Sequence, residues 1–113
     1  MELVHLLNRA EESGKFQIIS RGIEKTKISR VFCCDLLSVA MSKVPAGGIW
    51  VTVIANVNTL AVASLTEAAC VILAEGTHID ESFIKKAQQE DICLLTTELP
   101  VFEAAKLADS WLS

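Results

Sequence analysis

The side chains able to do chemistry in this sequence are small, polar and dispersed, and what they share is position. Arg21, Asp35, Asn56, Asn58, Thr59, His78, Thr96 and Thr97 each stand just past a short apolar run. Where such runs are parallel strands, their carboxyl ends and the helix N-termini that follow converge, and ligands bind there. Groups of these types suit a small anionic metabolite or a nucleotide. Backbone N–H groups opening a helix near the neutral Asn58 can receive a phosphate or carboxylate, with Arg21 as counter-charge. The structural alternative is that Asp35, Asn58, Asp80 and Thr97 cap helices, which their side chains also suit.

Sharper chemistries fail on spacing. The Gly-Lys pair at Gly14-Lys15 has Arg9 where a phosphate loop needs glycine, and Phe16 where it needs Ser or Thr. Gly47-Gly48 precedes a strand-like run, whereas a dinucleotide fingerprint follows one. Adjacent Cys33 and Cys34 point to opposite faces of a strand with no histidine near them in sequence, so no metal site and no cofactor is expected. Cys34 with His78 is the one nucleophile and base within reach of a common rim. No third group orients them, and a buried inert thiol is the weightier reading. The chain is therefore expected not to be an enzyme, with thiol-dependent catalysis as a third reading behind ligand sensing and pure protein–protein assembly.

Charge narrows the partners. The net charge of −4 argues against nucleic acid, which selects a basic excess. Basic residues gather between Arg9 and Arg30 and acidic ones between Asp80 and Asp109, a dipolar arrangement that suits either solvated faces or pairing with a second copy. Four cysteines without a C-x-x-C pair do not form a disulfide framework. The apolar run from Leu60 to Ala74 is interrupted by Ser64, Thr66 and Glu67, too early for a membrane span, and the first residues lack a signal peptide's basic region. A cytoplasmic location and no membrane partner are expected.

These residues need a scaffold, and the hydrophobic pattern supplies one. Leu3, Leu6, Leu7 and Ala10 recur at helical spacing, and Gly14 is placed to close that helix in a left-handed turn. Residues 16–19, 31–34, 49–54, 70–73 and 92–95 read as strands. Asp35 is placed to cap a helix over 36–43 whose apolar residues surround most of its circumference, which predicts deep packing. Asn58 and Thr97 are placed to cap the third and last helices. Asp80 caps the fourth, where Glu81 pairs with Lys85. Residues 20–29 form a polar excursion with Gly22 as its turn candidate. Strands alternating with helices predict a three-layer α/β/α fold around a mostly parallel sheet of about five strands. An apolar fraction of 51% agrees with a sheet covered on both faces or with an apolar subunit interface.

The stretch Val31-Phe32-Cys33-Cys34-Asp35-Leu36-Leu37-Ser38 with Met41, the stretch from Asn58 through Leu65, and the run from Ala69 through Phe102 resemble a stand-alone DRTGG domain. The Asp-Arg-Thr-Gly-Gly string itself is absent. The resemblance implies one domain over residues 1–113, similar in fold to the N-terminal domain of HPr kinase and of a kind also fused to phosphate acetyltransferases and CBS-containing pyrophosphatases. Chemistry lies in other domains of those chains. It therefore implies a regulatory, homodimer-forming accessory that senses a ligand on behalf of a partner enzyme or kinase.

Overall fold

The structure is a computed structural model and describes residues 1–112. Its elements run α1 (Leu3–Ser13), β1 (Phe16–Ser20), β2 (Val31–Cys33), α2 (Leu37–Lys43), β3 (Ile49–Thr52), α3 (Val57–Leu65), β4 (Cys70–Leu73), α4 (Glu81–Gln89), β5 (Leu94–Thr97) and α5 (Val101–Ser110). The strands form a five-stranded sheet in the order β1-β5-β4-β3-β2. Pairing is parallel from β2 to β5, and β1 lies antiparallel against β5.

Side chains alternate across the strands and divide the interior into two cores. Ile49, Val51, Cys70, Ile72 and Leu95 face α1 and α5, where they meet Leu3, Leu6, Leu7, Ala10, Ala104 and Ala108. Trp50, Val71, Leu73 and Leu94 face the other way, against Ala40 of α2, Leu60 and Ala63 of α3, and Phe83 and Ala87 of α4. Every residue of β3 and β4 is buried, as expected of central parallel strands covered on both faces. The three-layer α/β/α arrangement expected from the sequence is what forms. The indole of Trp50 is fully buried, and its Nε1 donates to the Cys34 carbonyl at 2.9 Å. No helix among the described residues is long and apolar enough to cross a membrane.

The polar excursion is a structured strap. β1 ends at the amino rim on one edge of the sheet and β2 begins at that rim on the other. Four strand spacings are about 19 Å, within the reach of about 33 Å of the ten residues between them. Along the way the strap serves α1, whose first residues have no side-chain cap. Thr26 and Glu24 accept from the amides of Leu3 and Val4 at 2.8 and 3.0 Å, satisfying donors that a helix N-terminus leaves free. Gly22, at φ +66°, passes so close to the sheet that an added Cβ would lie 2.7 Å from the Cys93 nitrogen.

Several local expectations are overturned. Asp35 does not cap α2; the cap position is Leu36, and the Asp35 carboxylate reaches Thr52 and Val53 instead. Asn56, not Asn58, caps α3, because Asn56 is the last extended residue before the helix turns. Thr97 still pairs with Phe16 inside β5, and Pro100 takes the cap position of α5. Residue 34 falls outside β2, residues 53 and 54 outside β3 and residues 92 and 93 outside β5, since the pairing ends at Cys33 and Thr52 and begins against β4 only at Leu94. Deep packing of α2 is also wrong: as the outermost of three helices it has a neighbour on one side and buries only Ala40. The Asp80 cap and the Glu81–Lys85 pair do form.

Gly14 and Gly22 both have positive φ, yet a Cβ at Gly14 would meet nothing within 4 Å. Gly14→Ala is expected to cost about 1 kcal/mol from backbone strain alone. Gly22→Ala adds a clash with the strand backbone and is expected to cost distinctly more, as read by urea denaturation midpoints of the two variants.

Candidate functional site

Helices α2, α3 and α4 follow β2, β3 and β4 on one face of the sheet, whereas α5 leaves β5 for the other face. The carboxyl ends of β4 and β5 are thus the point where neighbouring connections diverge and an open α/β sheet usually leaves a crevice. Here the chain fills that point itself. The amides of Glu75 and Gly76 donate to Leu99 and Thr97 at 2.8 and 2.9 Å. The Glu75 carboxylate accepts from the Val101 amide at 3.3 Å, which places its charge at the N-terminus of α5. Glu75 and Gly76 hold consecutive left-handed conformations, φ +61° and +66°, to make this turn.

The open space lies one strand over. Ala55 from the loop after β3, Val57 at the start of α3, and His78, Asp80, Ser82, Phe83 and Lys86 from the loop after β4 and from α4 with its cap enclose a cleft of about 370 Å³. A second hollow of about 350 Å³ lies beyond His78, toward Gln17, Thr96 and Glu98. His78 stands in the wall between the two.

The side chains singled out in the sequence divide by location. His78 lines both spaces, and Thr96 lines the second. Asn56 and Asn58 flank the first cleft through their neighbour Val57. Asn56 is committed to its cap, accepting from the Asn58 amide at 2.8 Å. Thr59 is fully buried and donates to the Ile54 carbonyl at 2.7 Å. Asp35 ties the β2 exit to β3 through Thr52 Oγ1 at 2.9 Å. Thr97 is buried, donating to the Lys15 carbonyl at 2.7 Å and accepting from the Leu99 amide. Arg21 lies on the opposite rim, between Glu24 and Glu11, because β1 is antiparallel to its neighbours.

Sequence reasoning missed Ser82 and Lys86, which an i,i+4 spacing places on the side of α4 that follows from Asp80. It also missed the apolar floor of Val57 and Phe83. The cation that lines the cleft is Lys86 in place of Arg21, and its Nζ is paired with Glu90 at 2.8 Å.

The resolved electrostatic shifts nearby fall on Asp80, Cys33 and Cys70. The Phe83 amide, then the Ser82 hydroxyl, hold the Asp80 carboxyl below its ordinary range, with a smaller contribution from His78. Partial burial, then the Asp35 carboxylate, push the Cys33 thiol up, opposite to an activated nucleophile. Burial likewise pushes Cys70 well up, where its sulfur lies 3.2 Å from that of Cys93. Cys34 and His78 sit on loops that leave β2 and β4, with β3 between those strands.

A carboxyl whose folded-state pKa is lowered contributes stability that is present above its unfolded value, about 4, and disappears as pH falls through the folded value. Asn is also a good N-cap, so Asp80→Asn isolates this charge effect. The variant is expected to be less stable than the parent at pH 7 and to converge with it as pH falls from the unfolded value through the folded one, as followed by chemical denaturation across acid pH.

No protein-family model matches the chain, and no curated protein matches it. Among solved structures it is similar to the CBS and DRTGG domains of the regulatory region of Clostridium perfringens pyrophosphatase, a crystal structure in complex with the activator diadenosine tetraphosphate. The match has a TM-score of 0.69 at 15% identity and covers 98% of this chain. The chain spans about half of that structure's length, 47%. At that identity the likeness is one of architecture, and the chain has a DRTGG-like fold.

Proposed function

We propose that this chain is a non-catalytic, cytoplasmic regulatory domain that binds a small anionic metabolite or nucleotide between α3 and α4, assembles as a homodimer and serves a partner enzyme or kinase. The cleft carries this reading. Its volume of about 370 Å³ is within the range of small-molecule sites, and it combines an apolar floor with few polar groups, as such sites do. The fold is similar to about half of a regulatory region crystallised with a nucleotide activator, which supports the same class of ligand. The lining favours a nucleotide over bare phosphate. His78 and Lys86 can meet an anionic group, while the Asp80 carboxylate repels one and instead accepts from a hydroxyl or amine. Val57 and Phe83 offer contact to an apolar ring.

A second reading, a pure interaction module without ligand, is favoured by the exposed apolar residues of α2 and α3, among them Leu36 and Val57. Ligand binding separates the two. A thermal-shift series with diadenosine tetraphosphate, ATP, AMP and acetyl phosphate is expected to give at least one rise in Tm. A ligand at about 100 times its Kd adds about 2.7 kcal/mol, a shift on the order of 10 °C for a domain of this size. Lys86→Met and His78→Ala change exposed side chains, so their own Tm should stay near that of the parent while the ligand shift shrinks. No shift with any of the four compounds would remove the ligand and leave the interaction module.

A further inference from the structure

Two thiols take no part in the cleft. Cys70 opens β4, and Cys93 lies just ahead of β5. Val71 pairs with Leu94, so the positions before them stand opposite one another on neighbouring parallel strands, where the Val71 amide donates to the Cys93 carbonyl at 2.9 Å. Both side chains enter the core that faces α1 and α5, and they are 1% and 2% exposed. There the Cys93 sulfur lies 3.2 Å from that of Cys70. Neighbouring strands are about 4.8 Å apart, inside the range of about 4.4–6.8 Å between Cα atoms that a disulfide accepts. A bond between these sulfurs needs a shift of about 1 Å, within reach of side-chain rotation. The other two cysteines are placed differently: Cys33 is exposed, and the Cys34 thiol donates to the Leu36 carbonyl at 3.4 Å.

In the closed fold the pair is inert. Burial, then Cys93, pushes the Cys70 thiol well up and keeps it protonated, whereas the species that attacks an oxidant is the thiolate. Oxidation therefore waits on an opening, and the strap between β1 and β2 is placed to gate it. A Cβ at Gly22 would lie 2.8 Å from that of Cys93, and among the described residues no hydrogen bond joins the two. Glu24 and Thr26 hold the strap to α1 instead. Segments tied down by few backbone hydrogen bonds open at lower free energy than central strands.

We propose that Cys70 and Cys93 are a redox pair, gated by the strap at Gly22, that a peroxide converts to an internal disulfide. Lifting the strap takes Gly22 off Cys93, and a solvated thiol is partly ionised at neutral pH. The Cys93 thiolate attacks one peroxide oxygen. The O–O bond breaks, the departing hydroxide leaves as water with the thiol proton, and the sulfur becomes a sulfenic acid, oxidised by two electrons. The Cys70 sulfur then attacks the Cys93 sulfur, the S–O bond breaks, and hydroxide leaves as a second water with the Cys70 proton. Two thiols and one peroxide give one disulfide and two waters. The segment so closed, residues 71–92, contains α4 and the cleft residues His78, Asp80, Ser82, Phe83 and Lys86, while the bond itself lies at the opposite rim. In a compartment that keeps thiols reduced such a bond is transient, as a sensor requires. Neither sulfur lines the cleft, so this inference and the ligand reading stand or fall separately.

The intact chain, treated with hydrogen peroxide at neutral pH, quenched by alkylation and mapped as unreduced peptides, tests the proposal. A Cys70–Cys93 linked peptide is expected, about 2 Da lighter than its two thiol halves. It should be absent from Cys93→Ala and return to free thiols on treatment with dithiothreitol. The oxidised parent is expected to gain a Tm increment on the order of 10 °C, lost again on reduction. Gly22→Ala is expected to form the bond at least about tenfold faster, and Gly14→Ala, at a helix end away from the pair, to stay within about twofold of the parent. Free thiols at positions 70 and 93 in peroxide-treated parent, with oxidation confined to Cys33 or Cys34, would overturn the pair. Equal acceleration by the two glycine variants would show that global unfolding exposes the thiols and would overturn the gate.

Discussion

A strand of four residues buried on both faces has no side to offer solvent, and β3 and β4 impose that condition on the whole molecule. Apolar side chains project alternately to either face, so helices must cover both faces. Three of them follow their own strands onto one face, where Leu60, Phe83 and Ala87 close over Trp50, Val71 and Leu94. The opposite face has only the two terminal helices available. α1 arrives before the sheet begins, and α5 must leave β5 against the direction set by the preceding connections. The divergence between β4 and β5 is therefore a consequence of covering the second face.

That divergence is costly to leave open, because it would expose two strand ends and an uncapped helix. The turn after β4 closes it with two backbone hydrogen bonds and the Glu75 carboxylate on the Val101 amide. Two consecutive left-handed residues are the strain that accompanies this closure, and only one of them is glycine. Once closed, the usual ligand crevice is lost and the open space moves to the neighbouring gap, between the turns after β3 and β4. The walls of that gap are hydrogen-bonded. The Asp35–Thr52 hydrogen bond, the Asn56 cap and the Thr59 hydroxyl fix one side, and the Asp80 cap fixes the other. Most of the polar side chains at the strand exits thus shape the cleft from behind, and His78 is the one that lines it directly.

Local pattern determined a good deal. The stripe of Leu3, Leu6, Leu7 and Ala10, the left-handed Gly14, the continuous apolar runs of β3 and β4 and the Asp80 cap all form as their spacing predicts, because each depends on neighbours within one turn or one strand. The α/β/α layering follows from those elements. Tertiary structure decided which polar groups meet. Arg21 lies on the far rim because β1 runs antiparallel, a choice set by pairing with β5 and invisible in five residues of β-forming sequence. Asp35 and Thr97 bond to partners 17 and 82 residues away instead of capping the helices beside them. Lys86 enters the cleft because α4 is docked against α3, a contact between elements that no spacing within α4 encodes. Sequence alone fixed what is satisfied along the chain; what is satisfied across it awaited the fold, since long-range hydrogen bonds depend on which strands become neighbours and in which direction they run.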